Sequence, residues 1–314
     1  MAPAGTQASL GSAVMPRQTP QQFLLATPRG AYTTVYVKDR QLLNWPKHVE
    51  RLEKSLSAMH TAIAGFYDAY YSSLAAAGRP ESAVLQQLLG PPIREALAQE
   101  SVVDEDLMLM IVMVPEPAQP CGLDVRVLAY PSGLAGSNSA GEAVILGGPR
   151  KIPVGKDSGW VAERQSLEQQ KGEAVEVLLS AQDGRVLEGL VTNLFVVTGG
   201  SGSSDGPPVV WTAGMQDGVV WGTVRAAVLE ACSQLGIEVR EEAPSMDGRH
   251  VWREAFVTNG LRLVQPLRTI SCGAGNVWGH PPWTLDLPHV PGPVTTALSA
   301  AVLARLPAVH PRDL

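Results

Sequence analysis

Apolar positions in this chain recur with two different periods, and the change of period sketches its elements. Residues 31–38 (Ala-Tyr-Thr-Thr-Val-Tyr-Val-Lys) alternate β-branched and aromatic types as a strand does, and Asp39-Arg40 supplies a turn before Leu42-Leu43. From Pro46 the step lengthens. Val49, Leu52, Leu56, Met59 and Ile63 recur three or four apart, which predicts an amphipathic helix over 47–65. Helices are also predicted over 67–77 and 81–99, the second interrupted or restarted at Gly90-Pro91-Pro92. Leu107 to Val114 is an apolar run of strand length, and Leu123 to Tyr130 a second strand.

The small, Gly-rich stretch from Pro131 to Gly141 then reads as a linker. Beyond it the pattern predicts strands at 143–146, 174–180, 185–187, 194–197 and 209–212, with a helix at 158–170. Asp183-Gly184 is a two-residue hairpin signal, and 199–206 a Gly/Ser loop. A helix opening at Gly222 carries the stripe Val228, Ala231, Cys232, Leu235 and stops at Gly236; short strands at 237–239, 255–258 and 263–264 and a helix at 294–306 follow. These elements give an α+β organisation. We expect a disordered N-terminal tail (1–22), a small N-terminal α/β domain (23–130), an interdomain linker (131–142) and a larger C-terminal domain (143–314).

Composition narrows the function. The 314 residues are 45% hydrophobic and 17% charged, with no apolar run near the ~20 residues that span a bilayer. A formal charge of −6 gives no basic footprint for nucleic acid, so the expected partners are small molecules. Cys121, Cys232 and Cys272 have neither disulfide-framework nor metal-knuckle spacing, and the six histidines show no ligand pairing; no metal is expected. The first acidic residue is Asp39, which fits a plastid transit peptide, but Arg17 is nearly the only charge in residues 1–22. A tail on a cytoplasmic protein is the expectation, a plastid protein the alternative.

Candidate chemistry gathers between Lys156 and Asn193. Lys156, behind Gly155, could form an imine with a carbonyl if burial lowered its pKa. A lone lysine is usually a surface residue, and Lys151 and Lys171 compete; Lys171 stands at a helix end, Lys151 remains the rival. Glu188, in a run otherwise apolar, could hold a pyridine nitrogen protonated, or simply face water at a turn edge. Gly222-Thr223-Val224 opens a helix whose free N–H groups suit a phosphate, and Arg51 is a planar donor of the kind that grips one. Gly260 lets a backbone N–H approach a ligand closely.

The order and spacing of these anchors carry more than any one of them. His48-x-x-Arg51-Leu52, Lys156, Glu188 with Asn193-Leu194-Phe195, Gly222-Thr223-Val224-Arg225, and Phe256-Val257-Thr258-Asn259 with Pro266 together resemble the class IV (fold type IV) pyridoxal-phosphate aminotransferases. That group holds the branched-chain and D-amino acid aminotransferases and the aminodeoxychorismate lyases. The resemblance covers about residues 28–268 and implies a small α/β domain joined to a barrel-like β domain, the cofactor between them, in a homodimer. It implies that Lys156 forms the internal aldimine and moves the proton, that Glu188 meets the pyridine nitrogen, and that Arg51, Thr223, Val224 and Gly260 hold the phosphate. Tyr32 is similar to a tyrosine lining the substrate side of the D-amino acid enzymes. The implied reaction transfers an amino group from an amino acid to a 2-oxo acid.

Departures from the family pattern are specific. Val224 and Gly260 stand where many relatives have hydroxyl residues, and 114–121 lacks the Arg-x-His carboxylate trap of the D-amino acid enzymes. Lys156 is followed by Asp157-Ser158-Gly159-Trp160, which looks most like a divergent, plant-type subgroup. The alternatives are a lyase using the same lysine and a non-catalytic protein that kept the fold.

Overall fold

The computed structural model describes residues 18–99, 106–132, 139–200 and 206–314. Residues 1–17 of the tail expected at 1–22, residues 133–138 of the linker expected at 131–142 and residues 201–205 of the loop expected at 199–206 lie outside the described residues. Helix α1 (Pro20–Ala26) begins inside the stretch expected as tail, because Thr19 and Gln22 form a reciprocal cap ahead of it and Pro20 takes a position whose N–H has no helical partner. Strand β1 (Ala31–Lys38) turns through Asp39 and Arg40, both at positive φ, into β2 (Gln41–Leu43). Helix α2 (Trp45–Ala62) starts two residues earlier than its period predicts, since Pro46 is tolerated in a first turn.

Helices α3 (Asp68–Ala77) and α4 (Glu81–Gln99) follow, then strands β3 (Leu107–Pro115) and β4 (Leu123–Pro131). The interruption expected at Gly90-Pro91-Pro92 is absent: α4 runs through it. Leu85, Leu89, Ile93 and Leu97 recur every four residues and bury one continuous stripe, and that packing outweighs the backbone hydrogen bonds two prolines remove.

Strand β5 (Gly141–Gly147) opens the second half. The single helix expected at 158–170 is two, α5 (Trp160–Glu163) and α6 (Gln165–Gln170), broken at Arg164, whose N–H is shared between the carbonyls of Trp160 and Ala162. Strands β6 (Glu176–Ser180) and β7 (Val186–Gly189) follow. Their turn is longer than two residues: Ala181 pairs with Arg185, and Gly184, at φ 82, closes a turn back to Ala181. Then come β8 (Asn193–Thr198), β9 (Val209–Trp211), α7 (Thr223–Leu235), β10 (Glu238–Arg240), β11 (Trp252–Asn259), β12 (Leu263–Cys272), β13 (Trp283–Asp286), α8 (Pro293–Arg305) and β14 (Ala308–Val309).

Two sheets result. One has the order β14-β2-β1-β3-β4; the other runs β10-β9-β8-β11-β12-β5-β6-β7 with β13 beside β12. Strand β7 also pairs with β8 through Glu188 and Asn193, which closes β8-β11-β12-β5-β6-β7 into a ring. The segment 143–314 therefore does not stay within one sheet, because β14 returns to pair with β2. Alternation along β8 divides its side chains: Leu194 and Val196 join a core with Val186, Val257 and Ile270, while Phe195 and Val197 pack under α7 and α8. In the first sheet, Val35 and Val37 pack on Leu52 and Leu56 of α2 and on the α4 stripe.

Glu254 of β11 is buried and caps α8 from below, accepting N–H bonds from Val294 (3.1 Å) and Thr295 (2.7 Å). Glu254→Ala removes both partners and leaves those donors buried, so a stability loss of about 1–3 kcal/mol is expected. Urea unfolding checks this.

Candidate active site

The two sheets are stitched where the chain leads into α5. Tyr32 N–H donates to the Lys156 carbonyl (2.8 Å), and Gly30 and Ser158 exchange two bonds of 3.0 Å. Arg29 grips Asp157 with two parallel contacts, 3.0 and 2.5 Å. The Lys156 N–H donates to Ser55 Oγ (3.0 Å), and that hydroxyl donates to the Arg51 carbonyl (2.7 Å). Lys156 and Arg51 are thus fixed on opposite sides of one serine, and both line a cleft of about 190 Å³ between the sheets.

Of the three competing lysines, Lys156 alone lines that cleft. It is buried, with Nζ 4.7 Å from the centre of the Tyr32 ring. Burial, reinforced by Arg51, Arg150 and Arg164 against an opposing pull from Tyr32, lowers its pKa from 10.5 to about 8. Lys151 is exposed and pairs with Glu163 at 3.6 Å. At neutral pH about one Lys156 in ten carries a free amine, against about one in three thousand for an exposed lysine. Capture of an added aldehyde by the protein is therefore expected to quicken about tenfold per pH unit up to pH 8 and flatten above it. Stopped-flow absorbance across that range checks the plateau.

Glu188 lies at the ring-closing step of the second sheet. Its Oε2 accepts the Val220 N–H (3.1 Å); its Oε1 is 2.8 Å from Arg150 Nε, but the N–H does not point at it, so the contact is coulombic rather than a hydrogen bond. Burial raises the Glu188 pKa while Arg150 opposes the rise. The turn from Glu188 to Asn193 is held by Glu176, buried in turn, which accepts from Leu190 N–H (3.2 Å) and Thr192 Oγ1 (2.9 Å). A Cβ on Gly189 would sit 2.2 Å from Thr192 Oγ1, which explains the glycine.

Arg51 is buried without a carboxylate beside it among the described residues. Its donors reach Thr33 Oγ1 and, at 3.1 Å, Nδ1 of His48, and burial lowers its pKa to about 10. His48 is held far below its ordinary pKa by burial and Arg51, so its ring is neutral and can accept. An unpaired buried cation is costly unless an anion joins it. Opposite it, Gly222 and Thr223 at the start of α7 line the same cleft. A Cβ on Gly222 would lie 1.9 Å from Asn193 Oδ1, so only glycine lets the helix start there.

Gly260 also lines the cleft, and a Cβ there would meet the Thr34 carbonyl at 2.9 Å, so the close approach of β1 favours glycine. Val224, in the first turn of α7, is buried against Phe195 and Val197 of β8 and does not line the cleft, which leaves only its backbone facing the helix start. Tyr32 forms one wall.

Sequence reasoning missed several cleft residues. Arg150, Arg164 and Thr258 line it, and Arg150 Nε, Arg164 Nη1, Glu188 Oε1 and the Thr223 and Thr258 hydroxyl oxygens are buried with no hydrogen-bond partner among the described residues. Thr258 places a hydroxyl two residues from the position where Gly260 lacks one. Such a set fits pyridoxal phosphate, an anion at one end and a protonated ring nitrogen at the other.

Residues 159–270 match the class IV amino-transferase family. The match includes Glu188, Thr223 and Gly260; Arg51 and Lys156 come from outside it. No curated protein sequence matches the chain. A hypothetical aminotransferase from Mycobacterium tuberculosis in its PLP-bound form shares the fold, at 17% identity and a TM-score of 0.62 over 93% of this chain and 94% of that one. The fold IV-transaminase of Curtobacterium pusillum gives 18%, 0.63, 93% and 91%, and the branched-chain amino acid aminotransferase of Escherichia coli 18%, 0.60, 90% and 86%. The fold is that of the type IV aminotransferases. Among the described residues no helix is long and apolar enough to cross a membrane, and no cluster of side chains could hold a metal ion.

Proposed function

We propose that this protein is a pyridoxal-phosphate-dependent aminotransferase that moves an amino group from an amino acid to a 2-oxo acid, with Lys156 as its catalytic residue. The observation that carries the reading is the buried Lys156, alone among the rival lysines in the cleft, with an arginine lacking an acid partner among the described residues and a buried glutamate lining the same cleft. Pyridoxal phosphate supplies, when bound, an aldehyde that captures amines and a ring that accepts the electrons released at a substrate's Cα.

The chain's own residues divide the remaining work. Arg51 and the N–H groups of Thr223 and Val224 bind phosphate, with Gly260 allowing close approach. Glu188 keeps a proton at the ring nitrogen, its acidity set by burial against Arg150. Lys156, once freed, takes the proton from Cα and returns it, a task suited to an amine titrating near 8. Tyr32 walls the side on which substrate enters. Two copies of the chain are proposed to pair, as in the family, and light scattering should give the mass of two chains.

The test is spectroscopic. Protein incubated with pyridoxal phosphate and desalted should be yellow, and borohydride should fix the cofactor to a peptide containing Lys156. A colourless protein that takes up no cofactor would sink the reading. Turnover that continued without a 2-oxo acid acceptor would favour a lyase.

A further inference from the structure

Three of the five cations lining the cleft have tasks in the proposal above: Lys156 as the amine, Arg51 on phosphate, Arg150 beside Glu188. Arg150 is engaged further, donating from Nη2 to the carbonyls of Gly189 (3.1 Å) and Leu190 (2.9 Å). Arg164 is the fourth. It occupies the break between α5 and α6, and its side chain is 10% exposed. Its Nε is held by Glu168 at 2.7 Å, while Nη1 is buried with no partner among the described residues. The guanidinium also stands within hydrogen-bond reach of the Tyr32 hydroxyl, beside an apolar wall of Leu24, Met108 and Met110.

Tyr32 reports the potential at that end of the cleft. Burial alone would raise its pKa, yet Lys156, Arg164 and Arg150 pull it down to about 7. A second anion placed there is therefore stabilised, and a guanidinium fork matches a planar carboxylate. Arg262 lines the cleft too, but its Nη1 already donates to the Val175 carbonyl (3.3 Å) and Gln265 Oε1 (3.2 Å).

We propose that Arg164, together with the Tyr32 hydroxyl, receives the carboxylate of the amino acid and 2-oxo acid, and that Glu168 positions it. This rests on the aminotransferase reading. It places the carboxylate contact on the helix break that follows the lysine, in a chain that lacks an Arg-x-His trap at 114–121. The apolar wall beside it is where the substrate's side chain would lie.

The experiment uses two probes with the same 3-methylbutyl chain, one ending in a carboxylate and the other in an amine. Cofactor-loaded parent, Arg164→Leu, Arg164→Lys and Arg262→Leu are titrated calorimetrically with 4-methylpentanoate and with 3-methylbutylamine, which lacks the carboxylate. Arg164→Leu is expected to weaken 4-methylpentanoate about 100-fold, as loss of a charge-assisted buried contact does, and to leave the amine within about 2-fold. Arg164→Lys should recover part of the affinity. The inference is overturned if the parent does not bind 4-methylpentanoate, if Arg164→Leu binds it as well as the parent, if the amine is lost equally, or if only Arg262→Leu shows the loss. The same titration on protein without cofactor reads the carboxylate site by itself, so failure to take up pyridoxal phosphate, seen in absorbance, is a separate result.

Discussion

Lys156→Ala is expected to lower transaminase turnover by on the order of 10⁴-fold or more, because it removes the covalent anchor and a general base that alone contributes roughly 10²–10⁴-fold. The yellow colour and its borohydride sensitivity should vanish with it. The fold should survive, since the backbone of residue 156 makes the contacts that stitch the sheets: its N–H donates to Ser55 and its carbonyl accepts from Tyr32. Circular dichroism and a thermal scan separate the two effects. Lys151→Ala, at an exposed side chain paired with Glu163, should change neither colour nor rate. An Arg replacement is not a rescue, because guanidinium stays protonated at any working pH.

Arg51→Met is expected to act in opposite directions on two measurements. Cofactor affinity should fall roughly 10²–10³-fold, the loss of a buried charge-assisted phosphate contact. The cofactor-free protein should become more stable by about 1–3 kcal/mol, because a buried cation with no acid beside it has been replaced by an apolar side chain of similar length. A Tm rise of roughly 2–6 °C without cofactor, and a smaller rise on adding it than the parent shows, is the expected pair of results. If Arg51 were a structural arginine, the substitution would lower stability and leave cofactor affinity alone. Calorimetry with and without pyridoxal phosphate decides.

Much of the site was legible because its anchors are local chemistry at fixed spacing. Lys156, Glu188 and Gly222-Thr223 each combine a reactive type with a glycine or turn beside it, and all line one cleft. Residues that look ordinary in sequence escaped notice. Arg164 lies in a polar helical stretch and reads as a solvated arginine until the helix breaks beneath it. Arg150 precedes Lys151 in a Gly/Pro-rich loop that has no period, yet it comes within 2.8 Å of Glu188. Thr258, inside a strand, stands out only because it lines the cleft with a hydroxyl that has no hydrogen-bond partner among the described residues.

The helix through Gly90-Pro91-Pro92 and the break at Arg164 mark the limits of local rules in opposite directions. At the prolines, a four-residue stripe of leucine and isoleucine packed on a sheet overrode a strong breaker. At Arg164 no breaker was present, and the chain still turned. Periodicity reports which face a segment can bury, and supplies no information about what lies opposite. For the same reason the two residues of β14, too short to carry a pattern, could not be assigned to the first sheet.

The sequence by itself determined the alternation that divides Leu194 and Val196 from Phe195 and Val197, the stripe of α2, the glycine start of α7, and the residue types able to hold a ring and a phosphate. These follow from side-chain period and backbone allowance, which act within a few residues. Tertiary structure decided which lysine is buried, that Arg51 has no acid beside it among the described residues, and that Tyr32 and Arg164 meet across 132 positions of chain. Those facts are matters of desolvation and of charges brought close by folding, and the energy of a buried charge is set by neighbours in space.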